Sequence, residues 1–149
     1  MSKIGYLIII IIIGILIYSK FPRKVSKVID QNIGNQKFSL EIADNLYLLE
    51  KGLSGRSQLC PNCGMLFIFN LETFQMFWMK DTLIPLDLLF INSQGIITDI
   101  FTANPEPGKN DLQLTLYKSS RPTRYVIELN AGTAEKLNIK AGDYLKLNI

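Results

Sequence analysis

Five side chains of this sequence are candidates for a polar pocket with an aromatic wall, and they are Arg56, Trp78, Lys80, Asp87 and Glu128. Glu128 gives the strongest signal, because Ile127 and Leu129 flank it and a charge buried without a partner is costly. We therefore expect Glu128 to pair with Arg56, Lys80 or Arg124. If these charges converge beside Trp78, they form a ligand site, and a shifted pKa could make one of them an acid or a base.

The same residues also have a purely structural interpretation. Trp78 can fill the core, and the charged side chains can join neighbouring strands as ion pairs. Arg56 lies in a glycine-bounded turn framed by Gly52, Gly55 and Gly64, where its planar guanidinium could hold either a ligand carboxylate or an interior acidic side chain. The sequence favours the structural ion pair for Arg56, and it leaves any catalytic residue unknown.

Cys60 and Cys63 are the two cysteines of the chain and belong to a Cys-Pro-Asn-Cys motif. A thioredoxin-type redox pair normally opens a helix, whereas the apolar run from Gly64 to Phe69 that comes next here is typical of a strand. A tetrahedral zinc site would need carboxylates or a second subunit, because the chain has no histidine. A local disulfide or a pair of free structural thiols is the preferred interpretation, with an intersubunit metal site and redox catalysis as alternatives. We expect no cofactor.

The composition removes support for several common classes of function. Without histidine the chain cannot carry a Ser-His triad, and it contains no phosphate loop or dinucleotide fingerprint. The net charge of +3 comes largely from a Lys/Arg cluster at residues 20–27, while basic and acidic residues are mixed elsewhere. Such a cluster suits anionic lipid headgroups, and no nucleic-acid-binding signature is present. The expected partners are the lipid bilayer and a small-molecule or envelope-protein ligand, not nucleic acid.

The segment from Ile4 to Tyr18 contains no charged residue. We predict that it is a membrane anchor, with Ile4, Ile8, Ile12 and Leu16 among the residues in contact with lipid. As a helix it satisfies its own backbone in lipid, and at about 1.5 Å per residue it spans roughly 22 Å. A cleaved secretory signal is the main alternative, but no pair of small residues lies beyond it at the spacing that signal peptidase needs. A buried core helix is the weaker alternative. The segment therefore predicts an anchor that stays attached.

The charges around this segment give opposing indications of its orientation. The positive-inside rule favours a cytoplasmic domain, because four basic residues between positions 20 and 27 lie directly after the segment. An apolar run that starts so close to the amino terminus is instead typical of signals that export the domain behind them. We expect a single-pass membrane protein with an extracytoplasmic domain. The predicted organisation is an anchor at 1–20, a basic tether at 21–36 and a β-rich domain at 37–149.

Short apolar runs separated by turn residues indicate a strand-rich domain from residue 37 onward. A short helix capped by Asp44 is expected over 45–53, one helical turn over 133–137, and a hairpin turn from Asn92 to Gly95. The first predicted strand alternates Phe38, Leu40 and Ile42, and the others lie at 65–69, 74–79, 86–91, 96–101, 124–130 and 144–149. The pattern predicts a mainly β domain.

Three blocks of the sequence resemble a known family, and they are GLSGR at 52–56 with GMLFIF at 64–69, FWMKDTLIPLDLLFI at 77–91, and RYVIELNAG at 124–132 together with the later AGDYLKL. In order and spacing they resemble the prokaryotic family called domain of unknown function 192, over roughly residues 38–149. The resemblance implies a compact sandwich- or barrel-like domain, often exported behind a hydrophobic segment, and no established reaction. The expected fold is therefore mainly β, with one or two short helices, preceded by an N-terminal transmembrane helix.

These observations support two main functional hypotheses. The preferred one is a membrane-anchored module that binds a ligand or supports the envelope. The rival is a small envelope enzyme whose pocket surrounds Trp78 and acts on a carbohydrate or peptide, and a metal or redox module at Cys60 and Cys63 is a weaker third. A pocket holding at least three of the five candidate side chains would favour the rival, and their dispersal over both faces of a sheet would count against it.

Overall fold

The computed structural model describes residues 27–149, which fold as a mainly β domain with two short helices. The helices are α1, Leu46–Lys51, and α2, Thr133–Lys136. The strands are β1 Val28–Ile33, β2 Gln36–Ala43, β3 Cys63–Thr73, β4 Met76–Phe77, β5 Leu86–Ile91, β6 Ile97–Ala103, β7 Tyr117–Lys118 and β8 Thr123–Asn130. A 3-10 turn, Asp111–Gln113, lies between β6 and β7. The predicted mainly β class with short helices is confirmed.

Six strands form one open sheet in the order β1-β2-β3-β8-β5-β6. β2 and β3 run parallel, and the other neighbouring pairs of this sheet are antiparallel. β4 and β7 form a separate two-stranded layer. Because β8 lies in the middle of the large sheet, between β3 and β5, its alternate residues enter the two faces of the sheet far from either edge.

The two faces of the large sheet bury separate hydrophobic clusters. Ile127 of β8 belongs to the first cluster, which also contains Ala134 of α2 and Leu145 of the C-terminal segment. Val126 belongs to the second cluster, which packs against α1 and the layer of β4 and β7. Residues two apart on a strand share a face, so Glu128 enters the second cluster with Val126. The fold therefore places this acidic side chain among apolar ones.

The N-terminal boundary of the domain differs from the prediction. β1 occupies Val28–Ile33, inside the segment 21–36 predicted as a tether, and it pairs with β2 along its length. Its Gln31 is buried and hydrogen-bonds the backbone of Lys146 and Asn148, so this polar strand is held by the C-terminal segment. The predicted anchor and residues 21–26 of the predicted tether lie outside the described residues. Between residues 27 and 149, no helix has the length and apolar character needed to cross a membrane.

Two of the predicted strands differ in the structure. The stretch 144–149 is not a strand, because Tyr144 makes an isolated bridge with Ile96 and Leu145 donates to the Gly95 carbonyl at 2.7 Å without a continuing ladder in the described chain. The strand predicted at 74–79 is reduced to β4, because its partner β7 has only two residues. The remaining strands and the turn at 92–95 occur where predicted. α1 also occurs there, but Asn45 and not Asp44 caps it by accepting from Leu48 N at 3.2 Å.

Candidate functional site

A cavity of about 610 Å³ lies between α1, β4 and the second face of the large sheet, and we call it the Glu128 pocket. The lining divides by exposure into a buried floor and an exposed rim. Leu53, Phe67, Thr82 and Glu128 are the buried members, and the exposed ones include Tyr47, Met76 and Trp78. This volume is within the range of roughly 300–1,000 Å³ that is usual for small-molecule sites. The volume is therefore sufficient for a small organic ligand.

Strand pairing fixes Glu128 at the floor of the pocket. In the sheet it lies opposite Met65 of β3 and Leu88 of β5, both of which are buried. Gly52, directly after α1, has a φ of +47° and leaves room beside the carboxyl. A Cβ at this position would lie 3.3 Å from the Phe67 ring and 3.8 Å from Glu128 Oε2. A side chain at position 52 would thus narrow the floor as well as strain the backbone.

The Glu128 carboxyl lacks the partner that buried acids usually have. Glu128 is 6% exposed, and its Oε2 accepts no hydrogen bond from any of residues 27–149. Burial disfavours the charged form and raises the pKa of Glu128 to about 8, against a smaller lowering effect from the positive charge of Arg56. At neutral pH the carboxyl is largely protonated, so it can both donate and accept a hydrogen bond.

Phe77 of β4 joins the aromatic rings of the pocket. Its ring meets Phe67 edge-on with centroids 5.0 Å apart, Phe69 at 6.3 Å and Phe90 at 5.6 Å. Edge-to-face contacts of this kind are favourable beyond simple burial and fix the relative positions of the rings. The pocket therefore has a preformed apolar wall next to the buried acid.

Lys80 and Trp78 lie together at the rim. Lys80 Nζ is 5.7 Å from the centre of the Trp78 ring and donates to Asp111 Oδ2 at 2.5 Å. The hydrogen bond with Asp111 raises the pKa of Lys80, so the ammonium group stays charged. Trp78 is 44% exposed, which places it at the mouth of the cavity and not in the core. A cation beside an exposed ring is suited to contact a ligand that enters the pocket.

Glu128 forms no direct ion pair with Arg56, Lys80 or Arg124, although the positive charge of Arg56 acts on it at longer range. Arg56 donates to Glu41 twice, from Nη1 to Oε1 at 2.5 Å and from Nη2 to Oε2 at 2.8 Å, and this contact raises the pKa of Arg56. Lys80 is held by Asp111, and the Arg124 guanidinium lies 5.8 Å from the ring centre of Tyr125. Arg56 thus forms an internal ion pair, with Glu41 as its partner, and does not line the pocket.

Asp87 is buried on the opposite face of the sheet from the pocket. Its two carboxylate oxygens accept from Thr102 Oγ1 at 2.7 Å and from Ala134 N at 2.9 Å, which ties α2 to β5. Of the five candidate residues, the structure therefore brings Trp78, Lys80 and Glu128 together in the pocket. Arg56 and Asp87 have structural contacts elsewhere.

Cys60 and Cys63 form a disulfide, and Cys63 opens β3 and not a helix. The loop they close is fixed on both sides, because Asn130 Nδ2 donates to the Cys60 carbonyl at 2.8 Å and Ser39 N donates to the Asn62 carbonyl at 2.8 Å. Neither cysteine lines the Glu128 pocket. Within the described chain, no group of three or more Cys, Asp or Glu residues is placed to hold a metal ion.

Several pocket residues were missed by the sequence reasoning. Phe67 and Phe69 alternate with Leu66 and Ile68 on a predicted strand, and this alternation is a signal that both rings lie on the face of Met65. Tyr47 and Leu116 reach the rim from α1 and from the residue before β7. No local pattern connects those two positions with Glu128, because the tertiary fold alone brings them together.

The sequence model of the family domain of unknown function 192, described as "Uncharacterized ACR", matches residues 28–147. The chain is similar to a UPF0127 protein of Pyrococcus furiosus, with 26% identity over 117 residues that cover 75% of this chain and 89% of that protein. The range of the family model coincides with the described β domain and includes β1, so the family domain begins before the boundary predicted at residue 37.

Two solved structures are similar to this domain. A protein of Sinorhizobium meliloti, described provisionally as a transcription regulator, is 39% identical with a TM-score of 0.67, covering 74% of this chain and 82% of that chain. A protein of unknown function from Novosphingobium aromaticivorans is 29% identical with a TM-score of 0.70, covering 85% of this chain and 89% of that chain. Proteins of known structure therefore share the overall fold of this domain.

Proposed function

The chain belongs to the family of domain of unknown function 192, and from that premise we propose that it is a membrane-anchored module that binds a small organic molecule in the Glu128 pocket. The observation that carries the proposal is a buried carboxyl, with no hydrogen bond to Oε2 from the described part of the chain, inside an aromatic cavity. Leaving a buried polar group unsatisfied costs about 1–3 kcal/mol, and a ligand that supplies the partner recovers part of that cost. The pocket also holds three of the five side chains that the sequence nominated, and by the criterion given above this clustering favours the enzyme, which is the second candidate below.

The membrane part of the proposal is supported by the sequence, in which the uncharged run from Ile4 to Tyr18 precedes the β domain. The stretch from Tyr18 to Lys27 reaches at most about 30 Å when fully extended. An anchor ending at Tyr18 would therefore keep Lys27, next to the start of β1, within about 30 Å of the lipid surface.

Two measurements test the membrane part. Carbonate extraction of cell membranes should leave the full chain in the pellet, and recovery of a soluble protein that lacks its first twenty residues would reject the anchor. Cys60 and Cys63 should react with an impermeant thiol reagent in intact cells after reduction, with lysed cells as the control. Labelling only after lysis would reject the extracytoplasmic placement.

Trp78 allows a direct test of the pocket, because it is the only tryptophan of the chain and lies at the rim. The full-length protein in lipid nanodiscs is titrated with a fragment library of uncharged, cationic and anionic ring compounds. We expect saturable changes in Trp78 fluorescence with a subset of the library. Ser54→Phe adds a ring to the lining and should abolish them, whereas Ser57→Phe, at an exposed position outside the lining, should not. A silent library, or binding that survives Ser54→Phe, would reject the pocket.

Catalysis is the second candidate function, and the raised pKa of Glu128 inside the cavity favours it. A protonated carboxyl at neutral pH can act as a general acid, and Lys80 at the rim could hold an anionic part of a substrate. Compounds that bind are incubated with the wild type and with Glu128→Gln, and products are followed by mass spectrometry. Conversion by the wild type alone, with binding retained in the variant, would support an enzyme. If both proteins bind the compounds and neither converts them, the enzyme hypothesis is rejected and the binding module is retained.

A further inference from the structure

We infer that the ligand of the Glu128 pocket is an uncharged ring compound that presents a carbonyl or hydroxyl oxygen to the Glu128 carboxyl. The inference rests on the proposed binding function and specifies the chemical class of the ligand. It combines the shape of the cavity, the position of its buried polar group and the arrangement of the surrounding charges.

The floor of the pocket determines where the polar end of a ligand must lie. Leu53 and Phe67, which are 2% and 1% exposed, present carbon atoms to the cavity, while Glu128 presents a carboxyl. The buried Thr82 also lines the cavity, but its hydroxyl donates to the Lys80 carbonyl at 3.2 Å. The rings of Phe69 and Phe77 continue this apolar lining towards the rim. A flat apolar body with one polar group at its inner end matches such a surface, because each part meets an environment of its own kind.

The charges near the carboxyl disfavour a charged inner end. The charged groups that line the pocket or act on Glu128 are Arg56, Glu50, Lys51, Lys80 and Asp81. Arg56 is held by Glu41 and Lys80 by Asp111, so these two cations are engaged away from the floor. An anionic end would lose its hydration among the apolar side chains of the floor, which is costly for a full charge. A cationic end would require Glu128 to ionise and would add a second positive charge within reach of Arg56.

An uncharged oxygen avoids both difficulties. Since burial keeps the pKa of Glu128 at about 8, the carboxyl offers an O–H donor at neutral pH. A carbonyl or hydroxyl oxygen accepts this hydrogen bond without any proton leaving the site. A neighbouring N–H or O–H of the ligand could then donate to Oε2, whose partner is missing among residues 27–149.

Three probes with the same ring test the inference. Benzamide is uncharged, benzyltrimethylammonium is a cation and benzoate is an anion, and none of them changes charge between pH 7 and pH 9. Each is titrated into the full-length protein in lipid nanodiscs, with Trp78 fluorescence as the readout. We expect benzamide to bind most tightly at pH 7 and to lose about tenfold in affinity at pH 9, as Glu128 ionises.

Two variants identify the group responsible. Glu128→Gln keeps a donor and an acceptor at the floor, so benzamide should still bind and the pH dependence should disappear. Glu128→Leu keeps the volume but removes both, and affinity for benzamide should fall about tenfold. Circular dichroism of each variant verifies that the β domain is intact.

The outcomes separate this inference from the proposed function. Tighter binding of benzyltrimethylammonium, lost in Glu128→Gln, would overturn the inference and leave the pocket in place. The inference would also be overturned if other library members bind and benzamide does not. The same holds if the affinity for benzamide is equal in the wild type, Glu128→Gln and Glu128→Leu and at both pH values. If no compound of the library binds, the proposed function fails, and the inference fails with it.

Discussion

Replacing Glu128 should change how the stability of the domain depends on pH. Burial raises the pKa of Glu128 in the folded protein to about 8, whereas the ordinary value is 4.5. Between these two pH values the unfolded chain has lost the proton while the folded chain keeps it, so unfolding releases a proton. The free energy of unfolding must therefore fall by about 1.4 kcal/mol for each pH unit across this window.

The whole effect amounts to about 5 kcal/mol, a large fraction of the 5–15 kcal/mol that is typical for a domain. The loss is absent below pH 4.5 and complete above pH 8. Glu128→Gln and Glu128→Leu remove the titrating group, so neither variant should show this loss. Above pH 8 Glu128→Leu should exceed the wild type by up to about 5 kcal/mol, because a buried apolar side chain carries no desolvation penalty.

Urea denaturation of the full-length protein in detergent micelles, followed by Trp78 fluorescence, measures these free energies at pH 5, 6, 7 and 8. Glu135→Gln is the matched control, because Glu135 is exposed on α2 and its replacement should leave the wild-type slope unchanged. If the wild type and Glu128→Gln lose stability in parallel over this range, the carboxyl is not protonated in the folded state. The hydrogen-bond donor on which the inferred ligand class depends would then be absent.

Three further changes test other parts of the fold. In Gly64→Ala the new Cβ would lie 2.5 Å from the backbone oxygen of Glu128. We therefore expect the free energy of unfolding, measured by urea denaturation, to fall by about 2 kcal/mol or more. A variant as stable as the wild type would contradict so close an approach. Asp87→Asn weakens the charged acceptor of Ala134 N, and a loss of about 1–3 kcal/mol should accompany faster hydrogen exchange at that amide; unchanged exchange would show that Asp87 does not hold α2. Reducing the Cys60–Cys63 disulfide opens a loop of sequence separation 3, which should cost about 2 kcal/mol, and a melting temperature insensitive to reductant would refute this.

The sequence predicts the parts of the fold that depend on local pattern. The apolar run of β5 and the turn after it are specified by neighbouring residues, as is the alternation of Phe38, Leu40 and Ile42 in β2. Glu128 is recognisable for a related reason, since a charge between Ile127 and Leu129 contradicts the pattern of its own strand. Local contradiction of this kind identifies a candidate residue but does not identify its partner.

Partners depend on contacts that are distant in sequence. Arg56 lies in the connection between α1 and β3 and pairs with Glu41 of β2, 15 residues earlier in the chain. No local pattern distinguishes Glu41 from the other acidic residues, of which the chain has 13 in total. The polar run of Asp30, Gln31 and Asn32 predicts a tether where the structure has β1. Gln31 nevertheless belongs to a strand, since its side chain bonds the backbone of Lys146, 115 residues away. Such strands become recognisable only when both ends of the chain are considered together.

Two buried acids of the central sheet allow a comparison within one molecule. Asp87 of β5 is 1% exposed, and both of its oxygens accept hydrogen bonds, from Thr102 and Ala134. Glu128 of β8 is nearly as buried, yet the described chain offers its Oε2 no donor. The fold can therefore satisfy a buried carboxyl, and an apolar residue such as those at its neighbours Met65 and Leu88 would fit the second cluster at lower cost.

Unsatisfied buried polar groups are rare in native proteins and call for a specific explanation. Where a sequence departs from an otherwise consistent pattern of burial, the departure is expected at functional sites, because stability alone would remove it. Asp87 needs no such explanation, since its contacts to α2 account for it. Glu128 does need one, and its position at the floor of an aromatic cavity that opens beside Trp78 provides it. This contrast between two acids on adjacent strands is the reason for placing ligand binding at Glu128.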